Sequence, residues 1–260
     1  MAEGADLPFK AVVFDLDGVI TKTALVHAAS WKVMFDDYLK LREKRDGEPF
    51  VEFTHEKDYL PYVDGRPRYK GVQCFLESRG IQIPFGDPSD KPGEETCCGL
   101  GNEKNIKFRE LLERDGVEIF ESMVWWIKEL KALGIHIGVA SSSKNCQLIL
   151  QKTDLESLFE ARVDGVVSAE QGLHGKPEPD IFITAVKYMG CRPEESIVVE
   201  DAVSGVQAGQ AGHFGLTIGI AREGNERELK ENGADVVIAD FEGVDTAQVK
   251  EWFKEKNAHS

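Results

Sequence analysis

No run of 18 apolar residues occurs anywhere in this 260-residue chain, which excludes a membrane-spanning helix of ordinary length. Basic residues are in deficit: 31 Lys and Arg stand against 46 Asp and Glu, a formal net charge of −15. A surface of that sign repels phosphate backbones, so DNA and RNA are poor partners. Cysteine is scarce and unpatterned. Its five copies (Cys74, Cys97, Cys98, Cys146 and Cys191) are odd in number and never fall in C-x-x-C spacing. That argues against a disulfide framework and a zinc site alike, and the vicinal Cys97-Cys98 pair is expected in a polar loop. The segment Met1 to Asp6 has neither the basic nor the apolar stretch of a secretory leader, so a cytoplasmic location is expected.

What is present begins with Phe9-Lys10-Ala11-Val12-Val13-Phe14, an apolar run too short for a helix and rich in Val and Phe. It predicts a buried strand. The run stops at Asp15-Leu16-Asp17-Gly18-Val19-Ile20. Asp-X-Asp alone more often caps a helix or closes an Asx-turn. Two carboxylates at a strand end also lie where an open α/β sheet places its ligand crevice, and there they suggest a cation and an anionic substrate. The rest of the chain decides between these.

Helical spacing runs from Thr23 to about Arg45, whereas residues 46 to 105 show no long periodic run and residues 86 to 93 are a loop on composition. Helical spacing returns near 106, and Phe120 to Leu133 predicts an amphipathic helix closed by Gly134. Beyond it strands and helices alternate. Strands are expected at Ile135–Ala140, Val163–Val167, Ser196–Glu200, Gly215–Ile220 and Asp235–Ile238. Helices are expected at Lys144–Thr153 (capped by Ser143), Asp180–Met189, Val203–Ala211 and Glu223–Asn232. This alternation predicts an α/β fold with a doubly wound parallel sheet. The first strand belongs with the later ones, so residues 1–23 and 116–260 are expected to form a Rossmann-like core and residues 24–115 an inserted helical cap.

The carboxyl ends of the strands carry a consistent set. Strand one ends in Asp15 and Asp17, and the next in Ser141-Ser142-Ser143-Lys144-Asn145. The third leads to Gly175-Lys176-Pro177, and the fourth ends in Glu200-Asp201. Each has a bland explanation as a cap or a solvated charge. Together they describe a site: oxygen ligands from Asp15 and Asp201 for Mg²⁺, with Ser141 and Lys176 gripping phosphate oxygens. The cation and Lys176 supply the positive charge an acidic protein needs to hold an anion.

Phe14-Asp15-Leu16-Asp17-Gly18-Val19, Ser141, Lys176-Pro177 and Glu200-Asp201 resemble, in order and position, the four motifs of the haloacid dehalogenase superfamily. The resemblance implies that Asp15 attacks phosphorus and becomes an aspartyl phosphate, while Asp17 is the acid/base. It assigns Ser141 and Lys176 to the catalytic set. It places Asp15, Asp17 (through its backbone carbonyl), Glu200 and Asp201 around Mg²⁺. The aspartate at position 17 argues against the dehalogenase and phosphonatase branches.

Asp17-Gly18-Val19-Ile20-Thr21-Lys22-Thr23-Ala24, followed by His27 and Trp31, is similar to the β-phosphoglucomutase-like subgroup. His27 and Trp31 lie one turn apart on one helical face. The likeness implies substrate-binding roles for both. It implies the same for Arg68 in Asp64–Gly71, for Lys104 and Asn105, and for Ser143, Lys144 and Asn145. The function implied is a Mg²⁺-dependent phosphosugar mutase. It would interconvert β-D-glucose 1-phosphate and glucose 6-phosphate, with the cap closing over the sugar to exclude water. A phosphatase using the same residues on a small phosphate ester is the first alternative, and a non-catalytic metabolite-binding protein on the same fold the second. A monomer acting on a small phosphorylated sugar is expected, with neither membrane nor nucleic-acid partner. Extra sequence between Asp46 and Gly101, and Ala202 where a serine is common, depart from the subgroup's compact pattern.

Overall fold

The computed structural model describes residues 7–222 and 224–258. Met1 to Asp6 and Glu223, on which parts of the leader and helix expectations rest, lie outside the described residues. In chain order the elements are β1 (Ala11–Phe14), α1 (Thr23–Asp46), α2 (Leu60–Tyr62), α3 (Arg68–Ser78), α4 (Cys97–Asp115) and α5 (Glu121–Ala132). They continue with β2 (His136–Ala140), α6 (Cys146–Lys152), β3 (Ala161–Val163), α7 (Gly165–Gln171), α8 (Asp180–Tyr188) and β4 (Ser196–Glu200). The last are α9 (Val203–Ala211), β5 (Leu216–Ile220), α10 (Glu226–Glu231), β6 (Val236–Ile238) and α11 (Thr246–Asn257). Among the described residues no helix is long and apolar enough to cross a membrane.

The strands form one parallel sheet in the order β3-β2-β1-β4-β5-β6. β1 is central and all four of its residues are buried, as a parallel strand covered on both faces requires. Its side chains alternate between two packing layers. Ala11 and Val13 belong to a cluster with Ile181, Phe182, Ala185 and Val186 of α8. Phe14 meets Trp126 of α5 edge-on at 5.6 Å, and Trp126 stacks on Phe241 at 4.1 Å. The α/β parallel architecture expected from the sequence is the one observed.

The chain divides into two compact units: one takes the chain up to Lys22 and from Glu118 onward, the other is Thr23–Val117. The second unit is helical around an aromatic core. Phe35 stacks on Trp31 at 5.2 Å and on Phe53 at 5.0 Å, and meets Phe75 at 4.2 Å.

Four local expectations are corrected. Val163–Val167 does not continue as a strand: β3 ends at Val163, and the Asp164 carboxylate accepts from the Val166 and Val167 amides to cap α7. α4 starts at Cys97, not near 106, with the Thr96 hydroxyl accepting from the Gly99 amide, so the vicinal cysteines sit in a helix's first turn and are buried. Arg68–Ser78 is helical where no long periodic run was read. The cap residue of α6 is Asn145, not Ser143, whose hydroxyl instead accepts from the Asn145 amide at 3.1 Å.

Candidate active site

Sheet register builds the first half of the site. Phe14 is paired with Val139 of β2 and Val199 of β4, so the next residues on the three strands, Asp15, Ala140 and Glu200, emerge side by side. The Asp15 amide donates to the Val199 carbonyl at 3.0 Å, and the Ser141 amide to the Val163 carbonyl at 3.0 Å. Asp15, Ser141, Lys176 and Glu200 are all buried.

Lys176 reaches back from the segment before α8. Its Nζ donates to Asp15 Oδ1 at 2.5 Å and to Glu200 Oε1, and sits 5.0 Å from the Phe182 ring centroid. The other Glu200 oxygen accepts from the Ala202 amide at 2.6 Å, and Gly205 leaves the room that this carboxylate fills. Burial works against the Lys176 charge, but Asp15 and Glu200 outweigh it and push its pKa up. Burial pushes the Asp15 carboxyl well up; Lys176 opposes this, and Glu200 and Asp17 add to it. Lys176 is therefore the fixed charge that holds crowded carboxylates together.

Asp17 is half-buried, and Ser141 Oγ lies 3.4 Å from its Oδ2. The same hydroxyl accepts from the Ser143 amide at 3.0 Å, which ties Ser141 to the Ser143-Lys144-Asn145 turn. Gly165 packs against that turn, where a Cβ would lie 2.7 Å from the Ser142 carbonyl and 3.0 Å from the Lys144 amide. Asp201 packs on the loop after β1: a Cβ at Gly18 would fall 1.7 Å from Asp201 Oδ2. The expected metal set was the carboxylates of Asp15, Glu200 and Asp201 with the Asp17 backbone carbonyl. Among the described residues, no cluster of three or more His, Cys, Asp or Glu side chains is arranged around a cation position. Lys176 Nζ lies between Asp15 and Glu200 and donates to both.

The second set lies within Thr23–Val117. Lys104 is buried, with Nζ 2.6 Å from His27 Nδ1 and 4.9 and 4.7 Å from the ring centroids of Trp31 and Phe108. A lysine ammonium only donates, so Nδ1 accepts and the His27 proton sits on Nε2. The His27 ring stacks on Phe108 at 4.0 Å. His27, Trp31 and Lys104 are thus brought together, with Trp31 a buried member of the aromatic core. Arg68 Nη2 donates to Asn105 Oδ1 at 2.8 Å, and its guanidinium lies 5.9 Å from the Tyr69 ring centroid. Burial lowers the Arg68 pKa, and neighbouring Arg109 adds to the shift.

Two site neighbours escape a sequence reading. Phe108, beneath His27, was signalled only by its i+4 spacing from Lys104. Arg222 follows β5, a strand end bearing a single cation, and donates from Nε to the Gly18 carbonyl at 3.0 Å.

Buried Asp15 and Lys176 at the carboxyl ends of a parallel sheet, with a helical unit inserted after the first strand, define a haloacid dehalogenase type of α/β fold. A family model described as haloacid dehalogenase-like hydrolase matches residues 9–213. The chain belongs to this family and is an enzyme of its β-phosphoglucomutase-like type. It is 45% identical over 235 residues to a β-phosphoglucomutase of Mycobacterium bovis, covering 89% of this chain and 90% of that protein. It is 26% identical over 233 residues to a phosphorylated carbohydrates phosphatase of Thermotoga maritima, covering 88% and 94%. The crystal structure of a β-phosphoglucomutase from Clostridium difficile shares the fold, with a TM-score of 0.75 at 24% identity, covering 95% of this chain and 98% of that one.

The family implies a divalent cation, and the donors present suit one kind. Asp15 offers a buried hard carboxylate, and Asp201 another that packs against Gly18. Mg²⁺ characteristically takes one or two carboxylates and keeps several waters, so it needs no all-protein cage.

Proposed function

We propose that the protein is a Mg²⁺-dependent phosphosugar mutase that interconverts β-D-glucose 1-phosphate and glucose 6-phosphate through a phosphorylated Asp15. The observation that carries the choice of mutase is the second cationic centre. Arg68, hydrogen-bonded to Asn105 and within reach of the charge of Arg109, belongs to a different unit from Lys176. A mutase turns a sugar bisphosphate end over end and needs a grip for each phosphate; a phosphatase needs one. The 45% identity to a β-phosphoglucomutase over nine-tenths of both chains supports the same reading.

In this reading an Asp15 oxygen forms a bond to phosphorus as the sugar C–O–P linkage breaks at phosphorus. The electron pair leaves on the sugar oxygen, which takes a proton from Asp17. In the other half-reaction the free hydroxyl of a hexose monophosphate attacks phospho-Asp15, the Asp15 O–P bond breaks, the hydroxyl proton passes to Asp17, and the sugar bisphosphate is formed. Lys176 and Ser141 hold the transferring phosphate, and Glu200 keeps Lys176 charged and aimed. Arg68 binds the distal phosphate, and Ser143, Lys144 and Asn145 are phosphate contacts of the sheet unit. His27 and Lys104, braced on Trp31 and Phe108, bind the sugar. Bound through Asp15, Asp201 and the Asp17 carbonyl, Mg²⁺ would neutralise charge on the phosphoryl group. The unit Thr23–Val117 acts as the cap.

The alternative phosphatase reading has one observation in its favour, the likeness to the Thermotoga maritima phosphatase. Mass spectrometry separates the two. Glucose 1,6-bisphosphate should load a single phosphoryl group on Asp15, and added hexose monophosphate should discharge it. A phosphoenzyme discharged by water alone, with release of inorganic phosphate, would make the protein a phosphatase.

A further inference from the structure

Gly18 has φ +86°, and a side chain there would collide with the Asp201 carboxylate. Glycine is therefore required for Asp201 to approach. That requirement places the residue with the greatest backbone freedom directly after Asp17, whose carboxyl has to be aimed for proton transfer. Two hydrogen bonds remove this freedom. The Gly18 amide donates to the Thr21 carbonyl at 2.7 Å, and the Gly18 carbonyl accepts from Arg222 Nε at 3.0 Å.

Arg222 is itself held on several sides. Its guanidinium carbon lies 3.6 Å from the Phe120 ring centroid, a close cation–π stack. Nη1 donates to the Ala239 carbonyl at 3.1 Å and to the Asp240 carboxylate. Asp240 also accepts from Ser122 Oγ at 2.5 Å and from the Glu242 amide at 2.8 Å. Phe120 closes the circle, its amide donating to the Ile20 carbonyl at 2.9 Å. A lysine could keep the charge here but not the planar stack and the fork of donors together.

We propose that Arg222 is a positioning residue for proton transfer: by locking Gly18 it fixes the Asp17 carboxyl against the leaving oxygen. The inference rests on Asp17 being the acid/base. Leaving-group chemistry isolates that role. When the Asp15–phosphorus bond forms from a sugar phosphate, the departing alkoxide needs the Asp17 proton. When it forms from p-nitrophenyl phosphate, the departing phenolate needs none.

The experiment measures single-turnover phosphorylation of Asp15 by glucose 1,6-bisphosphate and by p-nitrophenyl phosphate. It uses the wild type, Arg222→Gln, Arg222→Lys and Asp240→Asn, with Asp17→Asn as reference. Arg222→Gln should lose about 10- to 100-fold with the bisphosphate and less than about threefold with the aryl ester. Arg222→Lys should recover only part of the loss, and Asp240→Asn should show the same asymmetry more weakly. If Arg222→Gln does not fold, Asp240→Asn carries the decision. Equal losses on both substrates, or none on either, would reduce Arg222 to a structural strut. If Asp17→Asn itself shows no asymmetry, the assignment of Asp17 falls and this inference falls with it. If Asp17→Asn shows it and the Arg222 and Asp240 variants do not, only the inference falls.

Discussion

The two units treat charge in opposite ways. In the sheet unit the buried ammonium of Lys176 is shared by two carboxylates, Asp15 and Glu200, which strand register brings side by side. In the helical unit the Arg68 guanidinium rests on an amide oxygen and beside an aromatic ring, with a second cation, Arg109, next to it. Buried charge that is paired internally is rigid, and removing one partner leaves the others stranded. Cationic charge set against neutral dipoles is complementary to an anion that arrives with the substrate. In the proposed mechanism one unit does the chemistry on a phosphoryl group, and the other reads what the phosphoryl group is attached to.

Substitutions in the two units should therefore fail differently. The largest effect is expected from Asp15→Asn, which removes the nucleophile. Glucose 6-phosphate formation should drop on the order of 10⁴-fold or more while the protein stays folded by circular dichroism. Turnover within tenfold of wild type would remove Asp15 from its role. Lys176→Met comes next and reports on stability. It leaves Asp15 and Glu200 buried without their shared cation, at a cost of about 3–5 kcal/mol. A fall in Tm on the order of 10 °C follows, read by calorimetry; an unchanged Tm would mean that the carboxylates do not depend on Lys176.

Arg68→Ala should behave in the reverse manner. Mutase turnover falls about 100-fold, Tm hardly moves, and hydrolysis of p-nitrophenyl phosphate is spared because that ester has no distal phosphate. Matching losses in the two activities would contradict the division of labour. The smallest effect is a control inside the helical unit. Asp58 accepts from the Thr54 amide (2.8 Å), the Thr54 hydroxyl (3.0 Å) and two nitrogens of Arg79 (3.2 and 2.8 Å). Burial opposes its charge, yet these donors outweigh it and lower its pKa. A depressed carboxylate pKa adds stability above the ordinary value, and that stability is lost as pH falls through the folded value. Asp58→Asn should cost about 1–3 kcal/mol at neutral pH, with the gap to wild type closing in urea melts below about pH 4. A gap that persists undiminished in acid would show that the carboxylate charge is not the source.

The same contrast explains what could be read from the sequence. Asp15, Ser141 and Glu200 were legible because parallel register brings the ends of adjacent apolar runs together, whatever the loops do. The helical unit was harder. α4 was read as starting near residue 106 because Gly99 and Gly101 are poor helix formers. Both are present for packing: a Cβ at Gly99 would come 2.4 Å from the Glu94 carbonyl, and one at Gly101 2.7 Å from the Tyr69 ring. Such tertiary requirements leave no periodic trace. Val166 and Val167 failed for a related reason: their β-branched pattern favours a strand, but the Asp164 carboxylate captures their amides and starts a helix.

The most direct test is a two-armed assay on β-glucose 1-phosphate with Mg²⁺ and a trace of glucose 1,6-bisphosphate. One arm couples glucose 6-phosphate to NADPH formation, and the other measures inorganic phosphate. The account predicts rapid glucose 6-phosphate formation with little phosphate released. Phosphate release without glucose 6-phosphate would contradict it, and would leave Arg68 without the distal phosphate it is proposed to hold.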